Sequence, residues 1–149
     1  MFPLPVPMAR SLAAAREAAA AGEVPVGAAV TLGDAVVAVA ANAPRARNDP
    51  TAHAEILAIR EAARVLGRDR LNDCDLWVTL EPCAMCAGAV AHARLRRLYY
   101  GAADPKGGAV EHGARFFTQP TCHHRPEVYG GIGEREAAAL LKEFFAQRR

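Results

Sequence analysis

The chain has 149 residues and a mass of 15.8 kDa, which accommodates one domain of ordinary size. Hydrophobic residues make up 52% and charged residues 23%, which excludes a disordered chain, a collagen-like repeat and a disulfide-dense miniprotein. The formal charge of +2 is uneven: eight Lys/Arg face ten Asp/Glu up to residue 93, and ten face six from Arg94 onward. Arginine supplies sixteen of the eighteen basic residues, so charge permits a polyanionic partner without demanding one, a solvated basic surface being the plainer alternative.

The proline-interrupted opening, residues 1–7, has no basic start and is expected to be a flexible tail rather than a signal peptide. No apolar run approaches the ~18–20 residues of a membrane span. A cytoplasmic setting is therefore expected, in which the four cysteines stay reduced. The domain is expected over 8–149, with about 34 alanines that each bury little area. Such a core is expected to be completed by a second subunit.

Ala9 to Ala21 is alanine-rich, predicts a helix and is stopped by Gly22. Val24 to Thr31 and Ala35 to Val39, joined through Gly33-Asp34, read as a strand pair. Asn42 to Pro50 reads as a loop. Asp49 or Thr51 is expected to cap the next helix, which presents Ile56, Leu57, Ile59, Ala63 and Leu66 and ends at Gly67. Asp75 to Leu80 is a buried strand broken by Pro82, which leads into a helix over Cys83 to His92. A strand follows at Leu95 to Tyr100, then a turn, a brief helix at Gly113 to Phe117, a loop over 119–126 and a short strand at Val128-Tyr129. Glu134 to Arg149 closes as an amphipathic helix with Ala137, Leu140, Leu141, Phe144 and Phe145 on its apolar face. The alternation points to a three-layer α/β/α arrangement.

The chemistry lies at two helix starts. Cys83 and Cys86, at i and i+3, share one helix face, so both sulfurs reach one ion. With His53 they supply three ligands of a tetrahedral zinc site and leave a fourth position for water. Glu55 points about 200° around the helix from His53, so both act together only off the helix end. There Glu55 reaches the water as general acid/base rather than the ion as a ligand. Taken singly, His53 is an ordinary helix-start residue, Glu55 a first-turn carboxylate and the cysteine pair a redox motif; together they point to a catalytic metal.

His53-Ala54-Glu55 and Pro82-Cys83-Ala84-Met85-Cys86 match the H-x-E and P-C-x-x-C signature of the zinc nucleoside deaminases, the cytidine/deoxycytidylate deaminase superfamily. Asp49 to Ile56, Thr79 to Ala89, Glu23 to Gly27, Gly101 to Asp104 with Lys106, and Phe144-Phe145 with Arg148-Arg149 resemble its bacterial tRNA adenosine deaminase branch. The resemblance runs from about Met8 to Arg149. It implies a cytidine-deaminase-like fold with a five-stranded mixed sheet, a homodimer, and one zinc per subunit on His53, Cys83 and Cys86. It further implies hydrolytic conversion of adenosine to inosine at the wobble position of a tRNA anticodon loop, with Glu55 moving the proton. By the same resemblance Asn42 touches the target nucleoside, and Asp104, Lys106 and Arg148 contact the RNA; a turn asparagine and solvated surface groups are the alternatives. His123 stands where the family often has asparagine before its histidine, here His124. With Cys122 adjacent this raises a second metal site, but a flexible loop beside the substrate groove is expected. The alternatives in function are a deaminase of a free base or nucleoside such as guanine, and a non-catalytic zinc protein that binds RNA.

Overall fold

The computed structural model describes residues 3–148. Its five strands form one sheet in the order β2-β1-β3-β4-β5: β1 Gly27–Leu32, β2 Ala35–Ala41, β3 Cys74–Leu80, β4 Arg97–Ala102 and β5 Glu127–Tyr129. β1 runs antiparallel to both β2 and β3, and β3-β4-β5 are parallel, so the sheet is mixed as expected. Helices α1 (Val6–Ala20) and α5 (Glu134–Ala146) cover one face. On the other lie α3 (Ala54–Leu66) and α4 (Ala84–Ala93).

Several boundaries differ from the sequence reading. The first helix starts at Val6, not Ala9, because Pro7 falls in its first turn, where a missing N–H costs nothing. Leu4 packs beside Met8 and Leu12, so of the expected tail only Met1 and Phe2 lie outside the described residues. The segment read as a loop after Asn42 holds a one-turn helix, α2 (Pro44–Arg47). Neither Asp49 nor Thr51 caps α3; Asp49 accepts from the N–H and hydroxyl of Thr51, and His53 is the N-cap residue. The brief helix near residue 115 is a 3-10 turn over Phe116–Thr118. The closing helix ends at Ala146, and Arg149 lies outside the described residues.

The core is built on small residues used for close approach. Ala54, Ala58 and Ala62, spaced by four, form the fully buried stripe of α3, while Ile56 and Ile59 are only half-buried. On α5 only Ala137 and Phe144 are buried, and Phe145 is exposed. β1 is buried on both faces, and α1 lies so close that a Cβ on Gly27 would stand 1.9 Å from the Ser11 carbonyl oxygen and 2.7 Å from Ala15 N. Trp77, Tyr99 and Tyr129 stack across β3, β4 and β5 with centroids 3.9 and 5.2 Å apart. The Trp77 indole N–H donates to Thr31 Oγ1 at 3.1 Å.

This contact makes Gly27 a test of the α1–sheet spacing. Gly27→Ala is expected to lose about 3 kcal/mol in urea unfolding, the upper range for an overpacked core. Gly33→Ala, at φ +59° with open space around it, should lose only the ~1–2 kcal/mol of a left-handed side chain. Equal losses would show that α1 yields without cost.

Candidate metal centre and its cleft

Both helices that carry the marked residues begin at the same end of the sheet. β3 and β4 are parallel, so their carboxyl ends, Leu80 and Ala102, lie together. β1 runs the other way and brings Val24 and Val26 to that end; β2 ends there at Ala41, followed by Asn42. A cleft of about 310 Å³ opens at this edge, at the small end of the ~300–1,000 Å³ typical of small-molecule sites. Its walls include Asn42, His53, Glu55, Glu81, Cys83 and Asp104.

His53 Nδ1 lies 3.7 Å from Cys83 Sγ and 3.5 Å from Cys86 Sγ, and all three donor atoms fall within 4.8 Å of one another. A tetrahedral zinc ion with sulfur at ~2.3 Å and nitrogen at ~2.0 Å sets neighbouring donors about 3.5–3.8 Å apart. Both nitrogen–sulfur spacings therefore fit such an ion. Cys86 is buried, and the half-buried His53 and Cys83 face the cleft. This is the one group of three or more metal-ligating side chains among the described residues.

Charge at the centre is set by the helix starts. Cys83 is the N-cap residue of α4. Its thiol is pushed down to about 5, first by the hydrogen bond from Cys86, then by the N–H groups of Cys86 and Met85 and by His53, against the opposing effect of burial. Cys86, as the donor in that pair and well buried, is pushed up, so the two sulfurs share one negative charge without a metal. Glu55 is 4% exposed, and burial raises its pKa, with the Cys83 thiolate adding to the rise.

The other marked residues divide. Asn42 is buried, and its Nδ2 donates to the Val24 carbonyl at 3.2 Å, which turns the amide into the cleft wall. Asp104 lines the cleft but uses Oδ1 to accept from the N–H groups of Lys106 at 3.2 Å and Gly107 at 2.9 Å. Lys106 is exposed on that turn. Arg148 is not brought to the cleft: it lies 3.6 Å over the Phe144 ring at the end of α5. His124 donates to the Leu95 carbonyl at 2.7 Å, Cys122 contacts the His124 carbonyl, and no metal group forms around them among the described residues.

Two residues that the sequence reading did not single out hold the cleft's walls. Glu23 Oε1 and Oε2 accept from the N–H groups of Arg45 at 3.1 Å and Ala46 at 2.8 Å. Glu81 Oε1 accepts from Asp104 N at 3.0 Å and His112 Nδ1 at 2.8 Å. Its Oε2 accepts from the N–H groups of Val110, Glu111 and His112 at 3.1, 2.9 and 3.2 Å. Burial pushes the Glu81 carboxyl up, but these donors outweigh it and hold it below its ordinary value. No local spacing marks either carboxylate, because their partners are backbone amides 22 to 31 residues away.

A family model described as MafB19-like deaminase matches residues 7–149. The tRNA-specific adenosine deaminase of Agrobacterium fabrum is 64% identical over 99 residues, 66% of this chain and 65% of that protein. The tRNA-specific adenosine deaminase of Bacillus subtilis is 44% identical over 98 residues, 66% of this chain and 61% of that protein. The chain thus matches slightly under two thirds of the length of each. A solved structure from studies of A-to-I editing by tRNA:A34 deaminases at the wobble position is 57% identical, with a TM-score of 0.90 over 91% of this chain and 98% of that one. A guanine deaminase of Nitrosomonas europaea is 28% identical, with a TM-score of 0.78 over 98% of this chain and 86% of that one.

In metal-free protein, alkylation should read the charge assignment directly. Cys83 is expected to react as a thiolate, its rate falling as pH drops through about 5, while buried Cys74, pushed up to about 11, stays silent. Mass-resolved iodoacetamide labelling from pH 4 to 9 checks this. A Cys83 midpoint near the free-thiol value of ~8.5 would contradict it.

Proposed function

Given that the chain belongs to the MafB19-like deaminase family, we propose that it hydrolyses adenosine to inosine and ammonia at the wobble position of a tRNA anticodon loop. The observation that carries this reading is the 57% identity and 0.90 TM-score to the wobble-editing structure, 98% of which this chain covers. Zinc, one ion per subunit on His53, Cys83 and Cys86, supplies Lewis-acid polarisation of a water when bound.

The chain's own residues supply the rest. Glu55 takes a proton from the attacking water, passes it to N1 of the adenine, and later delivers a proton to the departing amine. Overall, water adds at C6, the C6–N bond breaks, and ammonia leaves. A carboxyl whose pKa is raised by burial suits that shuttle, since it holds and releases a proton closer to neutral pH. The N–H groups near Ala54 and Cys83, at the starts of α3 and α4, orient positive charge toward the water-derived oxygen. Asn42 holds the nucleoside from the cleft wall. An adenine must leave its stack to enter the cleft, a cost of a few kcal/mol that a loop nucleotide mostly avoids.

Asp104, Lys106 and Arg148 are proposed RNA contacts. For Lys106 and Arg148, exposed outside the cleft, the contact is with phosphate, and their share of binding should weaken with salt. A cytoplasmic setting agrees with a tRNA substrate; among the described residues no helix is long and apolar enough to cross a membrane. A homodimer agrees with the alanine-built core and with Met85 and Phe145 left exposed. Light scattering at micromolar concentration should read twice 15.8 kDa, and a clean 15.8 kDa particle would contradict pairing.

Glu55→Gln is expected to keep zinc and lose at least ~10²–10⁴-fold in turnover of an anticodon stem-loop. Metal analysis and inosine release read the two arms. Near-normal rates would remove Glu55 from the mechanism, and loss of zinc would make it a ligand. If the wild-type chain turns over guanine or cytidine faster than the stem-loop, the small-molecule reading replaces the tRNA one.

A further inference from the structure

Two walls of the cleft are irregular backbone, and each folds its N–H groups inward onto one buried carboxylate. The first wall is the turn around α2, which carries Asn42 and Pro44 into the cleft. Its N-cap residue is Ala43, which has no side-chain acceptor, and Pro44 brings no N–H. The orphan donors of that turn, Arg45 N and Ala46 N, are both taken by Glu23 from the end of α1. Glu23 is 3% exposed, so the pair of hydrogen bonds is shielded from water.

The second wall is the segment 104–112, which carries Asp104 and Gly107 into the cleft. Four of its backbone N–H groups and the His112 ring converge on Glu81, whose side chain is fully buried. The backbone there is packed against the carboxylate: a Cβ on Gly108 would stand 2.5 Å from Glu81 Cδ. Glu81 itself follows β3 and precedes Pro82-Cys83, so the same residue links the metal-bearing helix start to the wall. A buried carboxylate left without these donors would be costly, so the segment and the charge hold each other in one arrangement.

We propose that Glu23 and Glu81 are positioning residues for substrate selection: each fixes one wall of the cleft, and the walls, not the metal, set how tightly the base is held. The inference rests on the deaminase reading for the nature of the substrate, and on geometry alone for the fixing of the walls. Neither residue touches the reacting atoms. Loss of either should therefore loosen the ground state and the transition state together, which raises KM more than it lowers kcat.

The test uses the full-length, metal-loaded protein with Glu81→Gln, Glu23→Gln and Gly108→Ala. Gln keeps the size and one acceptor oxygen but turns an NH₂ toward N–H donors. Gly108→Ala pushes the second wall off Glu81 from the other side and serves where Glu81→Gln fails to fold. Hydrogen exchange is expected to speed by ~10-fold or more in 104–112 for Glu81→Gln and Gly108→Ala, and in 43–48 for Glu23→Gln. Exchange in β1 and β3 and the zinc content should stay at wild-type values. KM for an anticodon stem-loop should rise about 10-fold, with kcat within about 3-fold. Unchanged exchange in both segments overturns the proposal. So does faster exchange throughout the sheet, or failure of both second-wall variants to fold, since either assigns the carboxylates to global stability. A fall in kcat at unchanged KM overturns it as well. If wild-type protein is inactive on the stem-loop but deaminates guanine, the tRNA reading fails; the exchange data and KM for guanine then decide the clamps.

Discussion

Everything in this molecule that bears on chemistry depends on two helices starting at one edge of the sheet. α3 begins at His53 and α4 at Cys83, and the partial positive charge of both N-termini falls on the same few ångströms. The parallel pair β3-β4 makes this possible. A parallel connection must cross the sheet by a helix, so α4 begins where β3 ends, and the carboxyl ends of both strands stay open. The antiparallel strand β1 completes the edge by delivering the Glu23-to-Val26 segment from the opposite direction. A thiolate at Cys83 and a donor spacing of 3.5 to 3.7 Å follow from this meeting.

The legibility of the site in the sequence tracks the range of the interactions. Cys83 and Cys86 lie one turn apart, and His53 and Glu55 lie two residues apart at a helix start, so local spacing encodes their geometry. The strand β3 is readable too, because its apolar run is short and is closed by Pro82. What escaped was tertiary. α2 is a single turn whose donors are satisfied from residue 23, and nothing within Asn42 to Pro50 announces it. On α3 periodicity marks Leu57, which is buried, and Ile59 and Leu66, which pack at the core's margin, but it passes over Ala54, Ala58 and Ala62, which packing against the sheet selects for their smallness. Arg148 lies over the Phe144 ring, away from the cleft, a cation–π contact that no spacing rule separates from a surface arginine.

Three buried glutamates show how one side chain takes different parts according to its donors. Glu81 receives five hydrogen bonds, four of them from backbone N–H groups, and its charge is compensated where it stands. Glu23 receives two from the first turn of α2. Glu55 is as buried as either but faces sulfur, and the thiolate at Cys83 repels its charge rather than compensating it. Burial pushes both the Glu55 and Glu81 carboxyls up, but the donors around Glu81 outweigh it, so Glu81 lies below its ordinary range and Glu55 above it.

That division has a mechanistic logic within the proposed reaction. A carboxylate saturated with N–H donors is a poor proton carrier, because protonation would break several hydrogen bonds at once, and it is a good anchor for the same reason. A buried carboxyl with few donors is a poor anchor and a good carrier. Had the donor-rich environment surrounded Glu55, the group beside the metal would be fixed as an anion and unable to return its proton to a leaving amine. Had Glu81 lacked donors, the 104–112 segment would have no buried charge to fold around. The cleft works as a unit because six backbone amides converge on the two wall carboxylates, while burial outweighs the single backbone N–H at the residue that must change its protonation state.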